Sequence, residues 1–240
     1  MAIVKLSAHL MQRKAEKMKN KSYLFVLLAF ILTSVSCATP KAQISDVPQV
    51  ADNMAIGKLY VGPFLDNRKG GNADTTILGT KRGGYGNPLG RVHDKRGADE
   101  FVREHLINVA RGSNIFADRK PDTVIVKKQD NKWIVETNTT PQNNRLILVG
   151  IINQLSVETG YSRGTYVNID LELISSTDGK TLWASKLIGK KTGGMGRGIF
   201  EDVDKLKNWL AKTLQGAALE KFTLQEFQNI IGTAREQTKK

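Results

Sequence analysis

Cys37 is the only cysteine in the chain, and what surrounds it defines a chemistry. Thr33, Ser34, Val35 and Ser36 precede it as a run of small side chains. Before them, Tyr23 to Leu32 is an unbroken apolar stretch, and Lys19 and Lys21 give that stretch a positive flank. A cationic flank, a short apolar core and a small-residue site together describe an export signal, and the core is too short for a membrane-spanning helix of ~20 residues. One cysteine cannot form a disulfide within a chain, so the lone thiol at the end of this signal has some other role.

Elsewhere, residues able to do chemistry are sparse. The histidines are His9, His93 and His105. His105 stands at helical spacing from Phe101 and reads as a boundary residue of a helix. His93-Asp94 is the one adjacent pair that could act as acid–base or ligand, and its simplest reading is a solvated loop pair. No cysteine or histidine cluster has zinc spacing. Gly179-Lys180-Thr181 resembles the end of a phosphate loop, but Ile174 stands where such a loop needs glycine. Gly194-Met195-Gly196-Arg197-Gly198 lacks dinucleotide-binding spacing. No nucleophile–base or paired-carboxylate arrangement is visible. An enzyme is therefore not expected, nor is any cofactor beyond acyl chains on Cys37.

Two basic, glycine-rich stretches are the remaining candidates. The first, Leu65 to Gly97, reads as a long loop holding Arg68, Lys69, Lys81, Arg82, Tyr85, Arg91, Lys95 and Arg96. The second holds Lys190, Lys191 and Arg197. Backbone N–H groups beside Arg and Lys can hold a phosphate or carboxylate. Tyr85 and Met195 add apolar contact of the kind that protein-binding loops use. Of these, Arg68, Lys81, Arg82, Tyr85, Lys190, Lys191 and Arg197 are the expected partner- or anion-binding residues. The two stretches are expected at one end of a sheet.

The elements that would carry them follow from periodicity. Ala55 to Phe64 reads as a first strand ended by Pro63, and Asp99 to Arg111 as an amphipathic helix with Gly112 as its C-cap. Asn114 to Ala117 suggests a short strand. Thr123–Lys128 and Trp133–Thr137 flank Asp130-Asn131 as a hairpin. Arg145 to Val157 is continuously apolar, as in a strand covered on both faces, and too apolar to line a pore. Thr165 to Ile174 alternates, Asp178-Gly179 turns the chain, and Leu182 to Gly189 returns. A helix over about 201–221 and a shorter one over 224–234 close the chain. Trp183 is read as core and Trp209 as a boundary residue; Phe227, Ile230 and Ile231 give the last helix an apolar face that packs on the domain or meets a partner. The expected fold class is α+β, a mainly antiparallel sheet with helices on one face. Residues 1–36 form the cleaved signal, 37–54 a flexible acylated tether, and 55–240 a single periplasmic domain. Met18 is a plausible true start, which would make residues 1–17 superfluous.

The chain carries 36 Lys and Arg against 23 Asp and Glu, a net charge of +13 over 240 residues. Residues 1–36 hold six Lys/Arg and one Glu, so their removal leaves +8 on 204 residues. A basic chain suggests nucleic acid. Export argues against that partner and for lipid phosphates, peptidoglycan carboxylates or acidic protein faces.

The segment ending at Cys37 resembles the lipobox of bacterial lipoproteins, with Ser34 where Leu is commonest. That resemblance implies a diacylated cysteine and an acylated amino terminus. Ala38 follows instead of Asp, which favours the outer over the inner membrane. Beyond the anchor, Asp66-Asn67-Arg68, the Gly-Tyr-Gly loop, Ile151–Val157, Thr181-Leu182-Trp183 and the closing helix resemble the YajG-like small outer-membrane lipoproteins. The resemblance implies an envelope location and a binding or assembly role, with no catalytic residues to carry over. The expectation is a periplasm-facing accessory subunit of a secretion, motility or transport complex, with envelope proteins or further copies as partners. The alternative is a protein that binds anionic lipid or peptidoglycan.

Overall fold

A computed structural model describes residues 54–68, 74–83, 85–137, 146–160, 163–193 and 202–237, all within the unit Ile44–Lys240. The signal, Cys37, most of the tether and Arg197 lie outside the described residues. The elements are β1 (Lys58–Asp66), β2 (Ile77–Arg82), β3 (Pro88–His93), α1 (Ala98–Gly112), β4 (Phe116–Arg119), β5 (Val124–Gln129), β6 (Lys132–Thr137), β7 (Leu146–Glu158), β8 (Arg163–Ser175), β9 (Thr181–Gly193), α2 (Val203–Phe222) and α3 (Gln225–Gln237).

The fold is α+β. Seven strands form one sheet, and β5–β6 form a separate hairpin. The sheet is mainly antiparallel by paired residues, with parallel pairs mixed in. β7, β8 and β9 run antiparallel in sequence, but β1 pairs parallel with both β4 and β7, and β2 pairs parallel with β7. Parallel neighbours need a crossover. Here α1 lies within the connection from β1 to β4.

β7 is the central strand, and its apolar run has the predicted double cover. Leu146, Leu148 and Ile152 join the main core with Leu106, Leu210, Leu214 and Phe222 of the helices. Ile147 and Val149 face the other way, into a second cluster with Val126 and Trp133 of the hairpin. β8 alternates as its sequence indicates, with Val167, Ile169, Leu171 and Leu173 buried and Asn168, Asp170 and Glu172 half-buried on the opposite face. The turns follow residue chemistry. Asp130 and Asn131 both take positive φ, 49° and 61°, which fits a two-residue hairpin of the primed type.

Three boundaries differ from the sequence reading. β1 runs through Pro63 instead of ending there, because its register with β7 shifts between Val61 and Phe64 and that irregularity accommodates a residue without an N–H. The stretch 65–97 is not one loop, since it contains β2 and β3. Only Leu78 and Val92 of that ribbon are buried, so it carries little apolar period to detect. β9 continues to Gly193, which puts Lys190 and Lys191 in a strand rather than a loop. Backbone pairing with Tyr166 and Thr165 holds them there whatever their side chains prefer.

The helices pack on one face. In α1 the C-cap is Ser113, one residue beyond Gly112, and its hydroxyl donates to the Val109 carbonyl at 2.9 Å. α3 packs on the domain through Phe227 and Ile231. The Phe227 ring meets Trp183 edge-on at 4.9 Å and stacks on Phe222 at 5.0 Å. Trp183 is core, and Trp209 is half-buried against it.

Candidate functional site

A strand has two edges, and those of β7 are treated differently. β8 lines one edge from Leu146, opposite Ser175, to Glu158, opposite Gly164. The other edge is shared. β1 pairs with Leu146 to Ile152, and β2 pairs only with Val157 and Glu158. Between them, Asn153 to Ser156 face no strand on that side among the described residues. The register with β8 also shifts here, between Ile152 and Gln154.

Arg68, the second residue after β1, fills the break. Its Nε and one terminal nitrogen bind the Asp66 carboxylate at 2.7 and 2.6 Å. The other terminal nitrogen donates to the carbonyls of Ile77 at 2.6 Å and Leu155 at 3.2 Å, while the nitrogen on Asp66 also donates to the Thr75 carbonyl at 3.3 Å. A guanidinium has five N–H donors, and here each has an acceptor. One side chain thus joins β1, β2 and β7. Burial pushes the Asp66 carboxyl up, but the hydrogen bonds and charge of Arg68 outweigh it and hold the group below its ordinary value. The sequence reading offered Arg68 to a partner. That is corrected: its donors are committed to the fold.

Above the break lies a groove of about 730 Å³. Thr80 and Arg82 of β2, Gln154, Ser156 and Glu158 of β7, and Asn168 of β8 line it beside the Asp66–Arg68 pair. The Ser156 hydroxyl and the Asn168 carbonyl oxygen are enclosed without a hydrogen-bond partner. The sequence reading missed this groove, because its residues alternate with core positions and look like the polar face of ordinary strands.

Beyond the groove, the same end of the sheet collects cations. Thr80, Glu158, Gly164 and Thr192 lie in one row across β2, β7, β8 and β9. Lys81 and Arg82 follow Thr80, and Lys190 and Lys191 precede Thr192. Three strand spacings of ~4.8 Å separate the two groups. Arg91 of β3 pairs with Thr80 at the outer side. Tyr85, in the β2–β3 turn, is 95% exposed. Arg82 donates from its backbone N–H to the Thr159 hydroxyl at 2.8 Å and from its guanidinium to the Gly86 carbonyl at 3.0 Å. The Lys190 ammonium sits 5.6 Å from the centre of the Tyr166 ring.

The histidines are structural neighbours. His93 is on β3, with Nδ1 at 3.2 Å from the Thr76 hydroxyl, while Asp94 turns inward. Asp94 is 4% exposed and is no solvated loop residue. Arg96 holds it bidentately at 3.0 Å, and Lys207 of α2 lies at 3.7 Å. The hydrogen bond from Arg96 brings its carboxyl down to about 2. His105 packs edge-on against Phe101 at 4.5 Å and accepts from Gln215 at 3.1 Å. Burial pushes its pKa down. No group of three or more His, Cys, Asp or Glu among the described residues is placed to hold a metal. No described helix is long and apolar enough to cross a membrane.

No family model matches the chain, and no curated protein matches it. Solved structures do. A Xanthomonas campestris protein of family DUF330 is similar over 80% of this chain and 94% of its own, at 8% identity and a TM-score of 0.44. A PelC dodecamer from Paraburkholderia phytofirmans is similar over 69% of this chain and 90% of its own, at 16% identity and a TM-score of 0.36.

Proposed function

We propose that this chain is a YajG-like envelope lipoprotein: acylated on Cys37, held at the periplasmic side of the outer membrane, and serving without catalysis as an accessory subunit of an envelope complex. The observation that carries the reading is that Lys81, Arg82 and Tyr85 of β2 and its turn lie at the same end of the sheet as Lys190 and Lys191 of β9, three strands away. An exposed aromatic ring on the turn after Lys81 and Arg82 suits an acidic protein face. The lipid anchor supplies the rest of the mechanism. Several acyl chains hold a protein stably where one binds only marginally. Confinement to a membrane surface also raises the effective concentration of a weak contact.

The test is to recover the full-length protein from its own membranes in gentle detergent and identify what comes with it. The expected result is a discrete complex of fixed stoichiometry. The double variant Lys190→Glu/Lys191→Glu should lose the partner while the lipoprotein stays membrane-bound. Recovery as a lone lipoprotein that instead binds anionic vesicles or peptidoglycan would replace this reading with the lipid- or glycan-binding one. Separately, Cys37→Ser should move the protein from the membrane to the soluble fraction. Continued tight membrane association would remove the acyl anchor from the proposal.

A further inference from the structure

The groove over the break in the sheet has a chemistry of its own. Its volume of about 730 Å³ lies within the ~300–1,000 Å³ typical of small-ligand sites. It also sits just past the carboxyl end of β1, where an open sheet tends to form its ligand crevice. The charges around it largely offset one another, with Arg68 and Arg82 against Asp66, Asp74 and Glu158. Arg68 and Asp66 neutralise each other. Asp74 accepts from the Thr76 backbone at 3.0 Å. Arg82 and Glu158 are a cation and an anion on the same lining. An anionic ligand would meet the carboxylates of Asp66, Asp74 and Glu158, and no described metal cluster is present to receive a cation's ligand sphere.

The neutral side chains of the lining are two-sided. Gln154 and Asn168 carry carboxamides, and Ser156 and Thr80 carry hydroxyls; each can both donate and accept. Two of these groups, the Ser156 hydroxyl and the Asn168 carbonyl oxygen, are enclosed and unpartnered, which costs free energy that a ligand or a side-chain rotation toward one would relieve. Asn153, by contrast, is already bonded to Asp170 at 2.8 Å.

We propose that this groove binds an uncharged carbohydrate segment, with Gln154, Ser156 and Asn168 hydrogen-bonding its hydroxyls. A ligand made of hydroxyls matches groups that donate and accept alike, and it brings no charge of its own to the rim. The inference does not depend on the protein-partner reading. The two surfaces share only Arg82.

The experiment uses the full-length lipoprotein in a detergent without sugar headgroups. Chitotetraose, maltotetraose and cellotetraose are titrated by calorimetry, and hydrogen–deuterium exchange locates the contact. The expected result is saturable binding of at least one, with slowed exchange confined to 150–158 and 164–170. Gln154→Ala, at an exposed position, should weaken binding about tenfold with an unchanged melting temperature, since it removes hydrogen bonds to the ligand alone. Asn168→Ala should weaken binding likewise. Lys191→Glu should leave sugar affinity within about twofold, because a surface charge moves a neutral ligand little. Absence of saturable binding to all three sugars would overturn the proposal. So would protection elsewhere in the chain, or binding that survives Gln154→Ala.

Discussion

The two edges of β7 solve the same problem in opposite ways. Along the β8 edge, main-chain hydrogen bonds run from one end of the strand to the other. Along the second edge, two shorter strands leave a gap, and a side chain completes what the backbone does not. A buried peptide group must find a partner. A strand supplies partners at every second residue without regard to sequence. A gap has to be closed by one particular side chain, and it leaves room for something else to bind. The continuous edge is therefore the stability-bearing half, and the broken edge is where a ligand site can form at the cost of depending on Arg68.

The sharpest way to break this contrast is Arg68→Ala. It strands the Asp66 carboxylate and the carbonyls of Leu155 and Ile77 together, so we expect a loss of about 3 kcal/mol in urea unfolding. Arg68→Lys should recover less than half, because one ammonium cannot reach acceptors on three strands. A loss below ~1 kcal/mol, the net contribution of a single hydrogen bond, would mean the gap closes by itself.

Gly79→Ala tests the short β2 contact. A Cβ there would stand 2.1 Å from the Val157 carbonyl oxygen, too close to be accommodated by a side-chain shift. Overpacking of this kind costs about 1–3 kcal/mol. Amide exchange should quicken in β2 and β3 and remain slow in β8 and β9. Equal acceleration in both halves would show that the edges are not independent.

A smaller effect is expected from Asp94, which ties the end of β3 to α2 on the broken side. Its carboxyl titrates at about 2 in the fold against an ordinary 3.8. The unfolded chain binds the proton first, so this contribution is full above the ordinary value and is lost as pH falls toward about 2. Asp94→Asn should flatten the stability profile across that window, as followed by circular dichroism. His105 adds a second acid-side loss, since its buried neutral ring resists protonation below its ordinary 6.5. The least change in stability belongs to Lys190→Glu/Lys191→Glu, both exposed at the end of β9. We expect it within ~0.5 kcal/mol, as for surface positions generally.

Much of the scaffold is legible in the chain. Continuous apolarity in β7, alternation in β8, and the Asp-Asn and Asp-Gly turns each state a local rule, and the fold obeys them. The β2–β3 ribbon and the end of β9 were hidden, because Gly79, Lys81, Lys190 and Lys191 have no strand preference and are held by their neighbours' backbones. Arg68 was visible as a charged residue after a strand, but its five acceptors come from Asp66, Thr75, Ile77 and Leu155, which span nearly ninety positions of sequence.

The sequence by itself determined the α+β class, the central strand, the turns and the helix faces. These depend on periods of two and 3.6 residues, which are local and additive. The split edge, the Arg68 clasp and the groove with Gln154, Ser156 and Asn168 were decided only by tertiary structure. Which strand lies beside which is settled by packing across the whole domain, and a gap between two strands has no signature in either of them.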